Sequence, residues 1–338
     1  MKSNFRILGA GVWGLVFSDY LLELNHNVEV FCRDVNLSNK KIKDLNVSNL
    51  RNIDIKPLDT LDDYKGLDVI NIIATNSKGF DSLLSDHLNY FHGVSQLVSL
   101  TKGVDHKSGM LFSDKIATDF GDNLDYGLIS GPSFAKDLSC RKKISVSFAS
   151  NDKQLTDVMI KSTKSDNFEM FATPYIYHIE IAGIIKNIAA IVCALADNYF
   201  GKGKYTNYII KKACDEIWQM SYEQLLASPF ENDNKKFNDI LSRDREKIIT
   251  SPGYIGDMIL TCKQNQSRNY QFGNLISQSN TSVEQAKNDI GTVEGYDCCI
   301  TLVENSLLKQ GELTNLLYTI IKSESDEHEK LLKAFLQA

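Results

Sequence analysis

The chain begins with an apolar strand that runs directly into a glycine loop. Phe5-Arg6-Ile7-Leu8 is followed by Gly9-Ala10-Gly11-Val12-Trp13-Gly14, and then by a stretch from Val16 whose Phe17, Leu21 and Leu24 share one helical stripe. The pattern G-x-G-x-x-G alone is weak. Its meaning comes from this setting between a strand and a helix. Gly9 permits the tight turn, Gly11 lets the backbone approach a pyrophosphate, and Gly14 lets the helix pack on the strand. The free N–H groups and the dipole at the helix start favour the anion. A glycine-rich turn without a ligand is the plain alternative, and the strand–loop–helix order weighs against it.

Five more apolar runs read as strands, at residues 28–32, 69–73, 96–100, 126–129 and 144–148. Strands alternating with helical patterns argue for a parallel sheet with crossover helices. After Pro174 the pattern changes. Long helical stretches follow at 175–198, 208–227, 235–247, 283–289, 296–309, 313–321 and 327–336, with no convincing strand. A length of 338 residues fits about two domains. The expected fold is therefore α/β: an N-terminal Rossmann-like domain, residues 1–173, and an all-helical substrate-binding domain, residues 174–338.

Composition excludes several classes. With 43% hydrophobic and 24% charged residues the chain is globular rather than disordered. Its net charge, 37 − 43 = −6, is the wrong sign for a general nucleic-acid binder but leaves room for a small anionic ligand. No uninterrupted apolar run reaches 18 residues, so no membrane span is expected. The N-terminus lacks the pattern of a secretory signal. Seven cysteines, with no C-x-x-C and no zinc spacing, read as buried thiols of a reducing cytoplasm, and no metal is expected. Residues 232–236 read as a solvated loop.

The end of the second strand bears on the choice of dinucleotide. An acid there pairs with a ribose 2′-hydroxyl, and an arginine accommodates a 2′-phosphate. The chain has Arg33 followed by Asp34. Arg33 tilts the reading toward NADPH, Asp34 keeps NADH open, and a merely solvated Arg33 is the plain alternative.

Several segments together resemble the bacterial-type NAD(P)-dependent glycerol-3-phosphate dehydrogenases. They are the glycine loop, Ser99-Leu100-Thr101-Lys102-Gly103, Ser130-Gly131-Pro132-Ser133-Phe134-Ala135-Lys136 and Glu180-Ile181-Ala182-Gly183-Ile184-Ile185-Lys186-Asn187, then Gly256-Asp257-Met258-Ile259-Leu260-Thr261-Cys262, Ser267-Arg268-Asn269 and Val293-Glu294-Gly295-Tyr296. No single motif suffices, but the ordered set is specific and spans nearly the whole chain. The resemblance implies interconversion of dihydroxyacetone phosphate and sn-glycerol 3-phosphate with NADPH or NADH. It also implies a supply of glycerol phosphate for phospholipid synthesis, a cytoplasmic location and a homodimer.

It further implies roles. Lys186 resembles the proton donor and acceptor. Its apolar surroundings would lower its proton affinity, as acid–base work near neutrality requires. A lysine with a packed stem and a wetted head is the plain alternative. Lys102, past a strand at the carboxyl edge of the sheet, is implied to polarise the carbonyl oxygen or hold substrate, against a simple loop lysine. Asp257 is implied to contact substrate hydroxyls and to orient Lys186. Gly131 and Ser133 are implied to touch substrate, with a helix cap as the competing account of Ser133. Ser267, Arg268 and Asn269 resemble a phosphate clamp, since the guanidinium fork matches phosphate oxygens. Cofactor contacts are implied for Gly9, Gly11, Val12, Trp13, Gly14, Arg33, Lys102, Ala135, Arg268, Thr292 and Glu294.

Two departures stand out. Val12 replaces a small or polar residue, removing one side-chain bond to pyrophosphate, typically worth about 1 kcal/mol. After the long helix the family carries a Gly-Asp-Asn-(small)-(Lys/Arg) stretch, whereas this chain reads Gly203-Lys204-Tyr205-Thr206-Asn207-Tyr208-Ile209. Two rivals remain at this stage. One is a related dehydrogenase of hydroxy or sugar acids, disfavoured by the Arg268 tripeptide. The other is a non-catalytic dinucleotide-binding module, disfavoured by Lys102, Lys186, Asp257 and Arg268 together.

Overall fold

A computed structural model describes residues 2–337 apart from 46, 65–67, 228–233, 264–266, 279–280 and 307. The chain forms two compact units. One comprises residues 1–102 and 112–176, and the other residues 103–111 and 177–338.

The first unit is built on an eight-stranded sheet. Its strands are β1 (Asn4–Leu8), β2 (Asn27–Cys32), β3 (Ile55–Pro57), β4 (Ile70–Ile73), β5 (Gln96–Ser99), β6 (Asp125–Ser130), β7 (Ile144–Ser150) and β8 (Phe168–Thr173). Their order is β3-β2-β1-β4-β5-β6-β7-β8, parallel throughout except for the β6–β7 pair. Chain order reverses at the β1–β4 pair, where open α/β sheets bind their ligands. The helices of this unit are α1 (Val12–Glu23), α2 (Val35–Asp44), α3 (Ser77–Asp86), α4 (Leu88–Phe91), α5 (Phe112–Phe120), α6 (Ala135–Ser139) and α7 (Lys153–Thr163), with α6 in the connection between the antiparallel β6 and β7. The sheet buries two apolar clusters, one around Ile7, Phe17, Val30 and Phe148, the other around Leu8, Phe31, Phe80 and Phe112.

Arg6 lies within the apolar run of β1 and is almost fully buried. A buried charge requires partners. Its guanidinium meets Glu29 at 2.6 Å, the Tyr90 hydroxyl at 2.7 Å and the Tyr64 carbonyl at 2.9 Å.

The second unit is helical: α8 (Ile176–Phe200), α9 (Thr206–Ala227), α10 (Asn234–Ile249), α11 (Asp257–Lys263), α12 (Arg268–Ile276), α13 (Val283–Ile290), α14 (Glu294–Glu304), α15 (Glu312–Lys322) and α16 (His328–Gln337). A π-helical turn, Pro252–Gly256, leads into α11. Helix α8 is long and apolar enough to cross a bilayer by length and composition alone, yet that stretch is wholly buried here, as the core helix of a globular fold. The expected loop at 232–236 differs in part: 232 and 233 lie outside the described residues, and Asn234 already opens α10. Of the seven cysteines, all expected to be buried, Cys214 is half-buried and Cys140 exposed.

Candidate active site

In the sheet unit the glycine loop joins β1 to α1. Gly9 has φ +121°, and a Cβ there would lie 2.6 Å from the Ala74 carbonyl oxygen, so only glycine fits. A Cβ on Gly14 would lie 2.5 Å from the Gly9 carbonyl oxygen, which is the tight helix–strand approach. Gly11 is different. Its nearest neighbour would be 3.7 Å away, so the space above it is open for a ligand. Gly11 also opens α1 with no side-chain cap, leaving the first-turn N–H groups for an anion. A cradle with two glycines closed against protein and one open fits a dinucleotide pyrophosphate. Val12 is 47% exposed beside it. Trp13 is held by its Nε1–H, which donates to the Ser133 carbonyl at 3.1 Å.

Past β2, Arg33 and Asp34 are both exposed. The Asp34 carboxylate accepts from the Leu37 N–H at 2.8 Å and so caps α2. Past β4, the Ala74 carbonyl walls Gly9, and the Thr75 carbonyl accepts from the Thr101 hydroxyl at 3.0 Å. Composition did not single out these two loop residues. The signal is their place across the switch point from Gly9. Lys102 is half-buried just beyond β5. Past β6, a Cβ on Gly131 would lie 2.8 Å from the Val146 Cα, so this glycine packs on β7. Ser133 donates its N–H back to the Gly131 carbonyl, and Ala135 begins α6.

In the helical unit Lys186, from the middle of α8, meets Asp257, the first residue of α11, at 2.6 Å. Lys186 is 7% and Asp257 2% exposed. Burial favours the neutral amine and the adjacent carboxylate favours the ammonium, so the amine stands between two opposed influences. The next residue, Asn187, accepts from the Asn269 side chain at 2.9 Å and donates toward Glu294 at 3.4 Å. Asn269 in turn accepts from the Gly295 N–H at 2.9 Å. Thus α8, the start of α12 and the start of α14 meet in one hydrogen-bonded chain, and sequence had not marked Asn187 as a site residue. A Cβ on Gly295 would lie 2.6 Å from the Asn187 carbonyl oxygen. Ser267 begins α12 without using its hydroxyl as a cap. Arg268 is exposed and has no ion pair among the described residues. Thr292 is half-buried, two residues before Glu294.

A parallel sheet open to a pyrophosphate at its switch point, in a chain that also buries an amine against a carboxylate, is the equipment of an NAD(P)-dependent oxidoreductase. The family's N-terminal model, "NAD-dependent glycerol-3-phosphate dehydrogenase N-terminus", matches residues 4–156, and its C-terminal counterpart matches 176–331. The chain belongs to the NAD-dependent glycerol-3-phosphate dehydrogenase family. A relative from Francisella tularensis subsp. novicida, named glycerol-3-phosphate dehydrogenase [NAD(P)+], is 30% identical over 304 residues, covering 88% of this chain and 85% of the relative. The glycerol-3-phosphate dehydrogenase structure from Coxiella burnetii shares the fold, with a TM-score of 0.77, 21% identity and coverage of 100% of this chain and 99% of that one. The yeast enzyme structure aligns with a TM-score of 0.63 and 14% identity over 98% of this chain and all of its own.

Proposed function

We propose that this chain interconverts dihydroxyacetone phosphate and sn-glycerol 3-phosphate with NADPH or NADH. The carrying observation is the buried Lys186–Asp257 pair, inside a family of that activity. A bound nicotinamide supplies the hydride for the ketone carbon. Lys186 Nζ then gives a proton to the carbonyl oxygen, and in the reverse direction takes it from the hydroxyl. Asp257 holds the amine in place and keeps its proton available. Lys102 polarises the same oxygen.

Arg268 clamps the phosphate through its planar fork, assisted by the Ser267 hydroxyl. Asn269 commits one N–H to Asn187, and its remaining N–H is directed to substrate. Gly131 and Ser133 border the substrate. Gly9, Gly11, Val12, Trp13, Gly14, Ala135, Thr292 and Glu294 border the dinucleotide, as do Lys102 and Arg268. Because Asp34 is engaged as a helix cap, exposed Arg33 is the group that meets a ribose 2′-substituent, and this favours NADPH. The product serves glycerophospholipid synthesis, in the cytoplasm, from a homodimer.

The test is absorbance at 340 nm with dihydroxyacetone phosphate and either NADPH or NADH. Oxidation of cofactor that depends on this substrate, with the lower KM for NADPH, is expected. Lys186→Ala lowers kcat by about a hundredfold or more, as loss of general acid–base help does, while cofactor binding changes little. Turnover that survives the substitution removes Lys186 from this role.

A further inference from the structure

Arg268 sits in the first turn of α12, and the two residues after it are both tied to α8. Asn269 donates to Asn187, and the Tyr270 hydroxyl donates to the Asp197 carboxylate at 2.5 Å. These anchor points are ten residues apart on α8, about 15 Å along its axis. Between them the backbone of α12 approaches α8 closely at a glycine. A Cβ on Gly273 would be 2.5 Å from the Ile191 carbonyl oxygen. A further tie, from Asn198 to the Asn274 side chain at 2.8 Å, lies toward the far end. The roll of α12 about its own axis is therefore fixed by its side-chain ties, and the direction of Arg268 follows from that roll. A fork that must meet two phosphate oxygens at once is sensitive to such a rotation.

Asp197 has a second engagement. Its other oxygen accepts the Gly203 N–H at 2.8 Å. Gly203 belongs to the turn before α9, where Gly201 (φ +102°) and Gly203 (φ +77°) take left-handed conformations. This turn opens the segment, residues 203–209, whose sequence departs from the family pattern. Burial and the adjacent Asp197 carboxylate push the Tyr270 hydroxyl well above the ordinary tyrosine value, so it stays a donor at ordinary pH.

We propose that Asp197 is a positioning residue for the phosphate clamp: through Tyr270 it sets the roll of α12 and so the aim of Arg268, and the 201–203 turn holds it in place. The inference rests on Arg268 being the clamp. It also gives the departed segment a role, which is to support the clamp from behind.

The test uses the full-length enzyme and the variants Tyr270→Phe and Asp197→Asn. Asparagine can still accept from the Gly203 N–H, so this second variant preserves the turn. Steady-state rates are read with dihydroxyacetone phosphate and with dihydroxyacetone, and inhibition by inorganic phosphate is measured in parallel. Each variant is expected to raise KM for the phosphorylated substrate roughly fivefold to tenfold, the scale of one ordinary hydrogen bond's net contribution. The inhibition constant for phosphate rises by a similar factor, kcat stays within about twofold, and the double variant adds little to either single one. An unchanged KM in both variants overturns the proposal. So does an equal loss with dihydroxyacetone, or a double variant whose effects multiply. Arg268→Ala separates the two levels. If that variant leaves phosphate inhibition intact, the clamp itself is wrong. If it abolishes inhibition while Tyr270→Phe and Asp197→Asn do not change it, the clamp stands and only the positioning role falls.

Discussion

Two buried ionisable side chains are held in opposite charge states in this molecule. Arg6 is neutralised by Glu29 and saturated with acceptors, whereas His178, fully buried on α8 with its ring edge-on to Trp218 at 5.0 Å, is held down to about 3 by burial. The sign of the consequence is fixed. The folded chain keeps His178 neutral, while the unfolded chain protonates it near its ordinary 6.5. Between these values the unfolded state binds the extra proton, so this contribution to stability is complete above pH 6.5 and is lost as pH falls toward 3. Denaturant unfolding across that window should show the native chain losing up to about 1.4 kcal/mol per pH unit relative to His178→Phe. Parallel slopes would show that His178 does not titrate this way. The same scale explains what could be read beforehand. Lys186 stands out as a charge inside an apolar helix, and its local neighbours mark it. The partners of Arg6 are 23, 58 and 84 residues away, and nothing local to β1 names them.

At the level of elements, the strands with strong apolar runs were legible, and the weakly patterned pieces were not. Strand β3 is three residues long and ends in a proline, too short to carry a period. Strand β8 lies at the sheet edge, with buried Phe168 and Met170 alternating with exposed neighbours. Its alternation is real, but it falls next to the expected boundary at Pro174. Helices α11 and α12, seven and nine residues long, were likewise not anticipated as helices, although the residues they carry were. They take their form from packing rather than propensity. The helix expected over 296–309 instead begins at Glu294 and ends at Glu304, which puts Glu294 and Gly295 in its first turn. That turn is where an element-scale prediction belongs. Gly295→Ala forces a methyl group against the Asn187 carbonyl and must push α14 off α8. Overpacking of this kind costs about 1–3 kcal/mol, to be read as a lowered denaturation midpoint. A midpoint equal to that of the parent chain would mean that the approach of α14 to α8 is looser than described.

For the whole molecule, the division into a sheet-based half and a helical half was visible in the switch of period near Pro174. The excursion of residues 103–111 into the helical unit was not, because a nine-residue loop has no period to read. Its anchoring depends on distant partners: the His106 ring pairs with the Thr301 hydroxyl at 2.9 Å, and the Ser306 hydroxyl donates to the Gly109 carbonyl at 2.8 Å. The thiols show the same dependence on the folded whole. Sequence placed seven cysteines without distinguishing them, and folding leaves Cys140 exposed and Cys214 half-buried, the latter a slow nucleophile because burial pushes its thiol up to about 11. An aromatic disulfide reagent should therefore capture one sulfur rapidly in the native chain and all seven in denaturant, with the rapid phase absent in Cys140→Ser. Several rapid equivalents in the native chain would contradict the burial of the rest. A dye coupled at Cys140 marks the folded enzyme once per chain, and the slower capture of the remaining sulfurs times each opening of its interior.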